Sequence, residues 1–284
     1  MAAAEEDGAH PSRVDATLVV GGRFHDFDHA RLQLLGLLAE HEDVRTAVAA
    51  DYEDVPLGDL LVSYTCDVRP SEAAQARIRS WVEGGGRWFA LHGTNSALDF
   101  TPQGVASPRV FPTWAETLGS QFVTHPPIAP YTVTASDPDH PLVAGIGDFS
   151  TDDELYLSEY HDRDALVPLL ETRWTGHARG FVEADWPDDE PRLVEYLRPL
   201  GDGEVLYLTL GHCRGHHDMR PLTDWYPVVE RGSWAVPEYT ELLRRGLAWA
   251  VHGAADRTPA DRTPAVRTPA VRTSTDRRPP GGPA

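Results

Sequence analysis

The chain predicts an α/β fold built on a mostly parallel sheet with helices on both faces. Three observations carry this expectation. Short β-branched runs alternate with stretches whose apolar residues recur at helical spacing; the strand-like runs are continuously apolar, as in strands buried on both faces; and glycines or capping residues mark the joints.

The first strand reads Ala16–Gly21 (ATLVVG) and stops at the Gly21-Gly22 turn. Asp28–His41 follows as a helix, with Leu32, Leu34, Leu35, Leu37 and Leu38 near one face. Val44–Ala49 and Asp59–Tyr64 (DLLVSY) are the next two strands. Ser71 is an N-cap residue for a helix that places Ala74, Ile78 and Val82 four apart and ends at Gly84-Gly85-Gly86. Arg87–Leu91 (RWFAL) is the fourth strand. From Thr94 to about Phe149 the chain is proline-rich and irregular, with Tyr131–Ala135 its best strand. Leu166–Glu171, Ala178–Glu183 and Val205–Leu210 (VLYLTL) read as further strands, and Thr240–His252 as a closing amphipathic helix.

These elements form one α/β domain over residues 15–253, flanked by a flexible N-terminus (1–14) and a tail (254–284). The tail repeats the unit RTPAx, with proline at five-residue intervals and almost nothing apolar to bury, so it is expected to be disordered. It carries six arginines against three aspartates, which leaves the body more acidic than the formal −19 of the whole chain of 284 residues. All 25 basic residues are arginine. Such a negative balance repels phosphate backbones and anionic membranes, so neither nucleic acid nor a membrane is the expected partner. Two cysteines, Cys66 and Cys213, cannot frame disulfides for a chain this size. With no apolar run near the ~20 residues of a membrane helix and no signal-peptide pattern, a cytoplasmic protein is expected.

In an open α/β sheet, ligands bind beyond the carboxyl ends of the parallel strands. The polar residues placed there are Arg23–His29 (RFHDFDH), Thr65-Cys66-Asp67, His92-Gly93-Thr94-Asn95 and the loop Gly211–Asp218 (GHCRGHHD). His92 occupies a strand-to-turn elbow, where an imidazole can serve as general base or metal ligand; filling space or capping a helix is the bland alternative. His212 follows its strand directly, whereas His216 and His217 are better read as a solvated loop. His25 and His29, four apart, share a face if the helix has already begun there, and Asp26 beside them is a candidate carboxylate. Thr151–Tyr156 (TDDELY) adds Asp153 and Glu154, either as a helix N-terminus or as acid–base groups. Both cysteines default to small buried hydrophobes.

The segments GGGRWFALHG, Trp114 with Leu118-Gly119, Phe122 with His125-Pro126, DPDHPLVAGIGDF, DDELY, GEVLYLTLGH and the closing LAWAVHG occur in an order that resembles the ThuA-like (trehalose utilisation) family, over about Thr17–Gly253. The resemblance implies a three-layer, flavodoxin-like fold of the class I glutamine amidotransferase type. Amidotransferase relatives carry a cysteine at the elbow where this chain has His92, so glutamine hydrolysis by that route is not expected. The positions matching the family are His92, His125, Asp153, Glu154, Tyr156 and His212, with His25 and Asp26 after the first strand.

The expected activity is hydrolysis, elimination or isomerisation of a small-molecule sugar or keto sugar. His92, Glu154, Asp153 and Asp26 are its candidate acid–base groups, His125, Tyr156, Trp114 and Asn95 its substrate contacts, and His25 and His212 ligands for a divalent, zinc-like metal. A non-catalytic sugar-binding or interaction module on the same fold is the alternative. A hydrolase using Cys213 is a third reading, and the sequence leaves a homo-oligomer open.

Overall fold

The computed structural model describes residues 13–255. The expectations for the extreme N-terminus and for the arginine-bearing repeat fall outside the described residues.

Chain order begins β1 (Val14–Gly22), α1 (Phe27–Leu38), β2 (Val44–Ala49), β3 (Leu60–Cys66), α2 (Glu72–Glu83), β4 (Arg87–Leu91) and α3 (Pro112–Leu118). It continues with β5 (Ala129–Ala135), β6 (Phe149–Asp153), β7 (Val167–Thr172), β8 (Arg192–Leu200), β9 (Gly203–Leu208) and α4 (Pro237–Ala255). These nine strands join one sheet in the order β2-β1-β3-β4-β9-β8-β7-β5-β6, and six shorter strands among the described residues pair into three two-stranded ribbons. From β2 to β9 neighbouring strands run parallel, and from β9 to β6 every pairing is antiparallel. The sheet is therefore mixed, and the expectation of a mostly parallel sheet holds for one half only. The reason is local: β8 and β9 are joined by the two-residue turn Gly201-Asp202, too short for the crossover a parallel pair needs.

The helices form as their sequences dictate. Asp26 caps α1 by accepting from the His29 amide at 3.0 Å, and the helix buries Ala30, Leu34, Leu37 and Leu38. Ser71 caps α2 in the same way through the Ala74 amide, and α2 buries Ala74, Ile78 and Val82. Leu34, Leu38, Leu243 and Leu247 of α1 and α4 pack with Leu18, Val62 and Phe89 on one face of the parallel strands. On the other face, Ile78 and Val82 of α2 and Trp114 and Leu118 of α3 pack with Val19, Leu61 and Trp88. No helix among the described residues is long and apolar enough to cross a membrane.

Three departures from the sequence expectation matter for the site. Ala178–Glu183 is a turn between the two-residue strands Gly176–His177 and Asp185–Trp186, closed by Ala178 donating to the Ala184 carbonyl. Positive φ at Gly180, in the middle of the segment, turns the chain there. The segment containing Asp153 ends a sheet-edge strand, with alternate burial of Phe149, Thr151 and Asp153, and does not open a helix. Finally, His92 leads into a single four-residue 3₁₀ turn, His92–Asn95, where a longer helix was the model of an elbow.

Candidate functional site

The carboxyl ends of β1, β3, β4 and β9 converge, and the backbone there is held in a sparsely populated conformation. Phe24, Asp67 and His92, one after each of the first three of these strands, all adopt positive φ although none is glycine. Such strain persists only where surrounding contacts over-determine it. Tyr207 supplies one such contact by donating its hydroxyl to the His92 carbonyl. Asp67, its side chain buried, supplies others: it accepts from Arg23, from Arg69 and from the Leu98 amide. Gly93 is required by close approach, since a Cβ at that position would lie 2.7 Å from the Thr65 carbonyl oxygen.

Four buried side chains meet at this rim: His25, His92, Glu154 and His212, whose ligating atoms all lie within 4.8 Å of one another. Glu154 is the centre. Its Oε2 stands 3.5 Å from His92 Nε2 and 3.8 Å from His25 Nε2, and its Oε1 stands 3.1 Å from His212 Nδ1 and 3.7 Å from His125 Nε2.

The outer nitrogens fix the inner ones. His92 Nδ1 lies 2.8 Å from the Thr209 carbonyl and His25 Nδ1 lies 3.3 Å from the Arg23 carbonyl. A carbonyl only accepts, so each ring places a proton on Nδ1 and turns its Nε2 inward. These two inward nitrogens are 2.8 Å apart. His212 is turned the other way round: its Nε2 donates to Glu230 Oε2 at 2.8 Å, and its Nδ1 faces Glu154 without a hydrogen bond of good geometry.

Electrostatics follow from burial and from Glu154. Burial pushes His25 down to about 4, outweighing the opposing pull of the Glu154 carboxylate. Burial alone would lower His212 too, but the Glu154 charge beside it and the bond to Glu230 win and lift it to about 9. For Glu154, burial would raise the carboxyl, yet His125 and His212 beside it hold it well below the carboxylate range. The set is thus an ionised carboxylate, two rings whose Nε2 atoms turn inward and a third ring whose inward proton a cation can displace.

Not every candidate residue joins this group. Asp26 does not: its carboxylate caps α1 and pairs with Arg231 at 3.1 Å. His29 also stands apart, because Asp26 is the residue before the helix and His25 therefore precedes its first turn. Asp153 lies under the site, accepting from the backbone amides of Glu154, Gly211, His212 and Ser233. Asn95 is buried and bonds Ser120. Trp114 is a core residue, its indole donating to the Thr94 carbonyl at 2.9 Å. His216 and His217 turn to the carbonyls of Tyr226 and Asp224, with His216 stacked on Trp225.

His125 and Tyr156 do reach the site. The Tyr156 hydroxyl is 3.3 Å from His92 Nε2, and both residues line a cavity of about 220 Å³ that opens beside Glu154. Two further residues escaped the sequence reading. Arg214, inside the histidine-rich loop, bonds Glu230 at 2.9 Å and stands 3.5 Å from Glu154. Glu230 stands in an unremarkable VVERG stretch; its only sequence signal is a carboxylate in the same long loop as His212. Cys66 lines the cavity, but burial raises its thiol well above the ordinary value. Cys213 is pushed up to about 12 by burial. Neither offers a thiolate nucleophile at neutral pH.

A family model described as ThuA, trehalose utilisation, matches residues 22–223. Among solved structures, a ThuA-like protein from Parabacteroides merdae superposes with a TM-score of 0.63 at 14% identity, over 87% of this chain and 93% of that one. A ThuA-like protein from Bacteroides uniformis gives 0.58 at 15% identity, over 86% and 93%. At these identities the structures show a shared fold. No curated protein matches the chain.

Proposed function

Because this chain belongs to the ThuA trehalose-utilisation family, we propose that it acts on a small sugar or keto sugar by histidine–carboxylate acid–base chemistry, with a divalent metal held by His25, His92, Glu154 and His212. The observation that carries this reading is the inward pair of Nε2 atoms on His25 and His92, 2.8 Å apart and facing an ionised carboxylate. Two lone pairs at that separation repel unless a cation or a proton lies between them. Each of the three rings also has its outer nitrogen bonded to an oxygen, as ligating histidines do. Three imidazoles and one carboxylate suit a zinc-like ion with room for one more ligand from the cavity. When bound, such an ion supplies Lewis acidity toward a carbonyl or hydroxyl oxygen.

The remaining chemistry belongs to the chain. His125 Nδ1 donates to the Pro126 carbonyl at 2.7 Å, which leaves Nε2 free to take a proton from a ligand in the cavity. Glu154, 3.7 Å away, stabilises the imidazolium so formed. Burial holds the Tyr156 phenol far above its ordinary value, so its hydroxyl stays a donor and orients a ligand oxygen. Arg214 adds a fixed positive charge where an oxyanion would develop. Elimination and isomerisation begin with such a proton abstraction, and in hydrolysis the same base would take its proton from the attacking water. Packing of α1 with α4 and of α2 with α3 on opposite faces supports the three-layer, flavodoxin-like frame for the parallel half.

The test is elemental analysis of protein purified without chelator, paired with turnover of keto sugars by His125→Ala and Glu154→Gln. Stoichiometric metal, and loss of turnover by a factor of about 100 or more in both variants, are expected. Turnover unaffected by either substitution would overturn the acid–base assignment, and full-length protein without any turnover would favour the binding module.

A further inference from the structure

The walls of the cavity differ in kind from its floor. The charged and polar groups His25, His125, Tyr156 and Arg214 cluster about Glu154 and His92, whereas most of the remaining lining is apolar, with Phe24, Phe100, Phe122 and Phe181 its largest side chains. The aromatic rings are in two groups. Phe122 and Phe181 lie 6.0 Å apart with His125 against Phe181 at 5.0 Å, and Phe24 meets Phe100 edge-on at 5.3 Å. Phe181 reaches this wall only because the Ala178–Ala184 turn carries it there, tied to Val105 by an isolated bridge.

A cavity of 220 Å³ is smaller than the roughly 300–1,000 Å³ that encloses a drug-sized ligand and holds about seven water volumes. A volume of this size suits one ring. A hydroxyl pressed against the phenylalanines would lose its water without gaining a partner, which is costly. A ring that presents C–H or π faces to those walls, and keeps its oxygens at one edge, loses nothing.

We propose that this cavity is a single-ring pocket in which Phe181 and Phe100 determine specificity: the ligand's ring faces rest on the aromatic walls, a vicinal oxygen pair on the ring edge or its substituent meets the Glu154 end, and any second ring stays outside the mouth. The proposal rests on the metal reading above only for what grips the oxygen pair. The ring chemistry is shared by saturated sugar-like rings and by planar aromatic ones.

The test uses hydroxamates, which present two adjacent oxygens to a bound cation. Cobalt-loaded full-length protein is titrated with acetohydroxamate, cyclohexanecarbohydroxamate and benzohydroxamate, followed by the cobalt absorbance and by calorimetry. Both ring-bearing probes should bind about tenfold or more tighter than acetohydroxamate, and Phe181→Ala and Phe100→Ala, both partly exposed positions, should each erase most of that preference. The tighter of the two ring probes assigns the pocket to saturated or to aromatic rings. Equal affinity of all three probes, or a ring preference untouched by both substitutions, overturns the proposal. Ligand-observed NMR of metal-free protein with cyclohexanol and benzyl alcohol reads the pocket without the ion. Ring signals abolished by Phe181→Ala sustain the pocket even where no cobalt binds, a result that would sink only the metal reading, and their absence from the parent protein overturns the pocket.

Discussion

The Nε2 atoms of His25 and His92, 67 residues apart in sequence, face each other at 2.8 Å in the interior of the protein. Nothing in either local segment makes that approach favourable by itself. It is imposed by β1 and β4 lying on either side of β3, and by the carbonyls of Arg23 and Thr209 that turn both rings inward.

A divalent ion held between those nitrogens and Glu154 should stabilise the fold. At a free concentration about 1,000 times the dissociation constant, binding to the native state alone contributes about 4 kcal/mol. Calorimetric melting with zinc and with chelator is expected to show a higher Tm with the ion, and the difference should vanish in His92→Ala. Identical melting curves with and without zinc would count against the site.

Asp153 should matter for stability and for the geometry of His212, without touching ligand. Its buried carboxylate gathers four backbone amides from three separate segments. Asp153→Asn removes the charge and replaces one acceptor oxygen by a donor. A loss of about 3 kcal/mol or more is expected in urea denaturation, since bonds to a charged acceptor contribute about 1.5–3 kcal/mol each. Stability within error of the parent protein would refute this role.

Glu195 sets a pH dependence away from the site. Burial raises its carboxyl to about 8, only partly offset by Arg245, and its Oε2 has no hydrogen-bond partner. Its unfolded value is 4.5, so between pH 4.5 and about 8 the folded state holds the proton more tightly than the unfolded state. The stability this contributes is complete below the lower value and is lost as pH rises through the upper one. Glu195→Gln, which mimics the protonated form, should flatten that decline, so that its advantage over the parent protein grows from pH 5 to pH 8. Parallel Tm profiles for the two proteins would exclude the assignment.

Trp114 should separate core from site. Its ring is buried against Trp88 and Tyr52, away from the cavity. Trp114→Phe leaves the Thr94 carbonyl without its donor and opens a small void, at a cost of about 1–3 kcal/mol. Stability should fall while KM for any substrate stays unchanged. A raised KM with stability intact would return Trp114 to the site.

Local pattern was enough to read β1 to β4, α1, α2, α4 and the β9 strand, because each depends on a hydrophobic period or a cap contained within a dozen residues. Ser71 ahead of Ala74, Ile78 and Val82 is such a case. The same logic located His25, His92 and His212, since a polar residue directly after a buried parallel strand has only the rim to occupy. The antiparallel half, from β5 to β8, was less legible. A strand such as Phe149–Asp153 is half buried at a sheet edge, and its acidic alternation looks the same as the first turn of a helix.

Composition and spacing by themselves determined that this chain builds an α/β sheet with a histidine-rich rim. What only the tertiary structure decided is which acidic residue stands at the centre. Asp26, Asp153 and Glu154 are interchangeable to a sequence reading, but a carboxylate's task depends on what surrounds it. Asp26 meets the amide of a helix start, Asp153 meets four amides, and Glu154 alone meets the inward nitrogens of four histidines. Those nitrogens come from segments up to 187 residues apart, and only the packed sheet brings them within reach.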